Sequence, residues 1–266
     1  MTQMHLYTYD GSFEGLLTVV FEAFERKAWP TAIEQEQVAQ PSMFGDTIRV
    51  VTDEQKSGRV WQGLQRRLSK GALEALYYTY LWEQSGFEQL VFDYARLAFE
   101  SEESIEGNYT ATCVLQVQQI HKQVHREKHR MEAFVRFQKS ADGLFYATIT
   151  PDFNVLPLII RHFERRYADQ RWAIYDTRRR YGAYYNLVST AFINLETQAV
   201  SPKRYGVLTA DQYDAEEAKY QQLWQVYFDH VNIPERKNPK LHLRHIPRRY
   251  WKYLSEKQPR QLKNLS

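Results

Sequence analysis

The sequence predicts an α+β fold: an antiparallel sheet of two hairpins plus N-terminal strands, packed with several amphipathic helices. Three observations carry that prediction. Phe13, Leu16, Leu17, Val20, Phe21 and Phe24 recur at helical spacing. Polarity alternates on both sides of Ala141-Asp142-Gly143, the signature of a hairpin closed by a tight turn. A second pair of alternating segments follows one helix later, Arg171 to Asp176 and Tyr181 to Asn186.

Taken in order, His5 to Asp10 reads as a short opening strand, and Asp10-Gly11-Ser12 as the turn that caps a helix over residues 12–27. Pro30 and Pro41 bracket a weakly patterned connection. Ile48-Arg49-Val50-Val51-Thr52 is expected to be a second strand, with Asp53 capping the helix after it. Residues 54–69, 71–83 and 86–100 read as three helices parted by Gly71 and by Ser85-Gly86. The acidic stretch from Glu100 to Gly107 is the linker candidate, and a long helix follows from about Tyr109 to Arg130. Ala133 to Gln138 and Leu144 to Thr150 form the first hairpin. Asn154 is expected to cap a helix with Pro157 in its first turn, running to about Tyr167. Beyond the second hairpin, Asp211 starts a helix to about His230, and a proline-punctuated basic segment ends the sequence.

A length of 266 residues suits one large domain or two small ones. The reading taken is a single domain over 1–255, with an alternative subdivision into an acidic, mainly helical 1–107 and a basic 108–255, and a basic tail over 256–266. Hydrophobic residues at 43% and charged residues at 25% match an ordinary globular mixture and argue against disorder. The single cysteine, Cys113, excludes an intramolecular disulfide and any multi-cysteine metal site. The opening residues lack the pattern of a secretory signal. The longest apolar run, Val155 to Ile160, falls far short of the roughly 20 residues of a membrane helix. The expected location is cytoplasmic.

Charge is unevenly placed. Residues 1–112 hold nine Lys/Arg against seventeen Asp/Glu, residues 113–230 sixteen against thirteen, and residues 231–266 ten against two. A basic C-terminal half is the electrostatic footprint of a phosphate-binding surface, or a solvated basic tail.

Four regions supply the candidate contacts. On the long helix, His121, His125 and His129 recur every fourth residue beside Lys122, Arg126 and Arg130, so one face can meet phosphates or simply face solvent. Histidines four apart can also share a metal, with Glu132 as a carboxylate, but the His-Glu-x-x-His arrangement is missing and no metal site is assigned. Arg161, His162, Arg165 and Arg166 lie opposite an apolar face on the next helix. Arg178, Arg179 and Arg180 form the second hairpin turn, a phosphate probe or an internal ion-pair set with Asp176 and the acidic N-terminal half. Near the end, Arg244, Arg248 and Arg249 interleave with apolar and aromatic residues, while Tyr250, Trp251 and Leu254 are expected to dock on the core.

Standard enzyme constellations are missing: no phosphate-cradling glycine loop, dinucleotide fingerprint or nucleophile elbow occurs. No cofactor is expected. Cys113 reads as a buried thiol. Asp152, Asp176, His129 and His162 are the weak acid/base candidates, Asp152 first, although helix capping or turn formation is the favoured role for Asp152.

Several blocks resemble a known family. They are Tyr9 to Leu17, His129 to Phe137, Pro151 to Ile159 with His162-Phe163-Glu164-Arg165-Arg166, and Trp172 to Asp176 with Arg180. They resemble bacterial DNA metabolism or repair proteins built on a domain of unknown function, and the similarity runs from the N-terminus to about Tyr253. Members of that family occur beside a radical-SAM DNA-repair protein or fused to a uracil-DNA glycosylase superfamily domain. The resemblance implies DNA and a radical-SAM-type protein as partners. It transfers no catalytic residue, and glycosylase activity is not expected of this sequence. The expected function is a DNA-binding accessory factor acting with a partner enzyme. The alternatives are an enzyme acting on a base or phosphodiester, and a protein-interaction module.

Overall fold

A computed structural model describes residues 5–37, 46–140, 143–194 and 248–254. The chain divides into two compact units, Met1–Arg126 and Glu127–Ser266. Together they give the expected α+β class, with six helices and two sheets among the described residues. No described helix is long and apolar enough to cross a membrane.

The first unit opens with β1 (His5–Tyr9), α1 (Phe13–Arg26), β2 (Ala32–Gln35) and β3 (Asp46–Arg49). These strands form their own parallel sheet, in the order β2-β1-β3, rather than joining the hairpins. Strand β2 falls inside the connection that carried no pattern. Only Ile33 of it is buried, so a short half-exposed edge strand leaves no alternation to read.

The Tyr9 to Leu17 block explains itself physically. Ser12 caps α1 by accepting from the Gly15 amide, while Asp10 Oδ1 accepts from the Ser12 amide at 2.9 Å and its hydroxyl at 2.6 Å. The other Asp10 oxygen accepts from Thr52 Oγ1 at 2.7 Å, which ties this turn to the segment after β3. Burial pushes the Asp10 carboxyl up, but the hydrogen bonds from Ser12 and Thr52 outweigh it and leave it below its ordinary value. A Cβ on Gly15 would stand 2.4 Å from Asp10 Oδ1, so only glycine fits under this network.

Helices α2 (Glu54–Arg67), α3 (Lys70–Trp82) and α4 (Phe87–Glu100) match expectation within two residues at each end, with Asp53 and Ser69 as side-chain caps of the first two. The acidic stretch after α4 is anchored rather than a free linker. Ile105 is buried, and the Glu106 carboxylate accepts from the Ser69 amide and hydroxyl at 2.6 and 2.8 Å.

The long helix α5 spans Thr112–Phe134, beginning and ending later than expected. It therefore consumes part of the segment read as a strand, which shrinks to β4 (Gln138–Lys139). The cause is local. The Arg136 guanidinium donates to the carbonyls of Ala133 (2.7 Å) and Val135 (3.3 Å), satisfying groups that a helix end leaves open.

The second unit holds β5 (Phe145–Ile149), α6 (Leu156–Arg166), β6 (Trp172–Asp176), β7 (Tyr181–Tyr185) and β8 (Thr190–Ile193). The order is β4-β5-β6-β7-β8, antiparallel at every step except β5 to β6, which run parallel. The two hairpins are real, but α6 joins them as a crossover helix, and such a connection is what a parallel neighbour requires. Strand β6 is buried along its whole length. Trp172 at its start packs against Phe137, Phe163 and Tyr185, so Trp172→Ala should cost about 3–5 kcal/mol. Asn154 does not cap α6. Val155 holds that position without a side-chain bond, Pro157 sits in the first turn, and Asn154 Oδ1 accepts from the Tyr181 hydroxyl. The expected helix over 211–230 lies outside the described residues. A short 3-10 helix, Arg248–Tyr253, buries Tyr250 and is followed by buried Leu254, as docking required, while Trp251 is half-buried.

Candidate nucleic-acid interface

Helix α6 buries Leu156, Ile159 and Phe163 and turns its opposite face outward. That face carries Leu158, Arg161, His162, Arg165 and Arg166. With Lys128 and Glu132 of α5, it lines an open groove of about 440 Å³. Spacing produces this directly, because residues 158, 161, 162 and 165 fall on one helical stripe.

The groove is strongly cationic because its single carboxylate already has partners. Glu132 lies 3.8 Å from Lys128 Nζ and 3.0 Å from His129 Nδ1. Glu164, the one acid of α6, accepts from Thr190 Oγ1 at 2.6 Å. Arg166 leans on Tyr167, with its guanidinium 5.7 Å from the ring centre. Arg161 and Arg165 are exposed, and neither has a carboxylate partner among the described residues. His162 is half-buried, edge-on to Phe163 at 5.0 Å.

The second arginine cluster, at the β6–β7 turn, is built differently. Asp176 is fully buried, and its Oδ1 accepts from the amides of Arg178 (2.9 Å) and Arg179 (3.2 Å). Its Oδ2 accepts from Arg179 Nη1 at 2.9 Å. The Arg179 side chain, only 11% exposed, also reaches the carbonyls of Pro151 and Asp152 at 3.3 Å. Arg178 is exposed but donates to the Asp152 carbonyl at 2.9 Å. The ion-pair reading of this turn therefore describes Arg179. Arg180 is exposed and closes the turn in the left-handed region, at φ 60°.

Asp152 is half-buried, and its amide donates to Glu127 Oε1 at 3.1 Å. Glu127 was not singled out from the sequence, yet it is the buried acid at the base of this region, 1% exposed. Both its oxygens lie 2.5 Å from the Tyr250 hydroxyl, and Arg130 Nη1 is 3.5 Å away. The signal available was its place on the apolar seam of α5, three residues after Val124 and four before Met131.

The remaining candidates scatter. Lys122, His125 and Arg126 belong to the first unit, where Lys122 and Arg126 are exposed and His125 is half-buried near Tyr78. Arg248 is exposed, 5.9 Å over the Trp251 ring. Arg244 and the Arg249 side chain lie outside the described residues. Burial pushes the Cys113 thiol up, which makes it a poor nucleophile at neutral pH.

A family model described as a domain of unknown function, DUF4130, matches residues 85–256, and the chain belongs to that family. No curated protein and no solved structure matches.

Proposed function

We propose that this member of the DUF4130 family is a DNA-binding accessory factor that acts in DNA repair or DNA metabolism with a radical-SAM-type partner enzyme. The observation that carries the DNA contact is the groove between α5 and α6, where Arg161, Arg165 and Arg166 stand beside a lining carboxylate, Glu132, that already has Lys128 and His129 as partners. Guanidiniums four residues apart on a rigid helix stand about one turn apart, and each can fork onto a phosphate oxygen pair. A backbone-binding surface needs no base-specific hydrogen bonds, so it suits a protein that holds DNA while another acts on it. The repair context and the partner come from the family resemblance, not from the groove.

Fluorescence anisotropy with single- and double-stranded DNA across salt concentrations tests the reading. Three neutralised phosphates predict affinity falling with salt at a log–log slope of about −3 on duplex. Absence of binding at low salt would remove the DNA contact and leave the groove to an acidic protein surface.

A further inference from the structure

We propose that the first unit carries a binding site for a divalent transition-metal ion of the zinc class, formed by Glu74 of α3 with His121 and His125 of α5. The three residues each offer one ligand atom, and these atoms all lie within 4.8 Å of one another. His121 Nε2 is buried, has no hydrogen-bond partner among the described residues, and stands 3.8 Å from Glu74 Oε1. That gap is too long for a hydrogen bond. A bridging ion would satisfy both groups, and tetrahedral bonds near 2 Å need ligand atoms about 3.3 Å apart, within reach of small side-chain rotations.

The surroundings hold the histidines for this. Tyr78, one turn after Glu74 on α3, lies with its ring centre 5.0 Å from His121 and 6.5 Å from His125. The imidazoles themselves are 5.7 Å apart. One further turn along α3, Trp82 Nε1 donates to Gln123 Oε1 at 3.3 Å, a second link between α3 and α5. Two nitrogens and one carboxylate make a borderline set that favours zinc, nickel or copper over magnesium or calcium. Glu74 is 47% exposed, so a fourth position opens to water. Spacing along α5 shows the two histidines, but the carboxylate comes from Glu74, 47 residues earlier than His121, instead of from Glu132.

Tag-free protein, stripped with a chelator, is titrated with Zn²⁺ by calorimetry and with Co²⁺ by visible absorbance. One ion per chain is expected, with Zn²⁺ raising the melting temperature. Removing outer-shell partners alone costs 10–100-fold in metal affinity, so His121→Ala with His125→Ala should weaken binding by about a hundredfold or more. Glu74→Gln alters an exposed residue without threatening the fold and should weaken binding at least about tenfold. His129→Ala should bind as wild type. The proposal is overturned if the wild type takes up no ion, or if Glu74→Gln and the double-histidine variant, each folded by circular dichroism, bind as tightly as wild type.

Discussion

Two arginine-rich regions of the second unit differ in what their cations already hold. On α6, Arg161 and Arg165 project from an exposed helical stripe with no carboxylate partner among the described residues. At the β6–β7 turn, Arg179 is locked on buried Asp176 and on two carbonyls, and Arg178 holds a third contact to the same segment. Charge counted along a sequence measures how many cations exist. It does not measure how many remain to meet a ligand, because a guanidinium that satisfies a buried carboxylate cannot leave without exposing a desolvated charge. The same holds at the scale of the units. Residues 1–126 hold eleven Lys/Arg against seventeen Asp/Glu, while residues 127–266 hold twenty-four against fifteen. The surplus of the second unit marks where a polyanion would go, and the partners of each arginine decide which residues can receive it.

Between the two clusters, the largest effect should come from breaking the occupied one. Asp176→Ala strands the nearly buried Arg179 and two turn amides, and should cost about 3 kcal/mol in urea unfolding. A loss below about 0.5 kcal/mol would mean that the turn does not depend on that carboxylate. Next comes Tyr250→Phe. It takes the hydroxyl from buried Glu127, so a loss of about 1–2 kcal/mol is expected in thermal denaturation. An unchanged melting temperature would show that Glu127 finds water there. Arg180→Gly works in the other direction. Relief of the left-handed backbone at φ 60° should raise stability by about 1 kcal/mol, and a loss instead would reveal a contact by that side chain. Smallest of all, Arg161→Ala with Arg165→Ala should leave stability within about 0.5 kcal/mol of wild type, since exposed cations without partners hold nothing together.

Much of the fold was legible because the signals were local. The caps Ser12 and Asp53 start helices where their side chains predict, and Gly143, at φ 80°, lies between two paired strands. The errors arose where a specific side-chain contact overrode the pattern of alternation or capping. Phe134 to Phe137 alternates like a strand, but Arg136 caps the carbonyls at the end of α5 and keeps the helix going to Phe134. Asn154 has the chemistry of a helix cap, but the Tyr181 hydroxyl claims its side chain. Parallel pairing of β5 with β6 leaves no mark in either strand, because register across a crossover depends on where α6 packs. At the groove, the cations of α6 were visible as a stripe, and so were the arginines of the turn. Sequence could not separate them, since the partners of Arg178 and Arg179 lie 26 to 28 residues away at Pro151 and Asp152, apart from Asp176 itself.

The most direct test compares two double variants in duplex-DNA anisotropy across a salt series, one in the groove (Arg161→Ala with Arg165→Ala) and one at the turn (Arg178→Ala with Arg180→Ala). The account predicts that the groove variant binds about tenfold weaker or more, with a salt slope shallower by about 2, while the turn variant retains both wild-type affinity and slope. Loss of binding in the turn variant with the groove variant unaffected would contradict it and move the DNA contact to the hairpin.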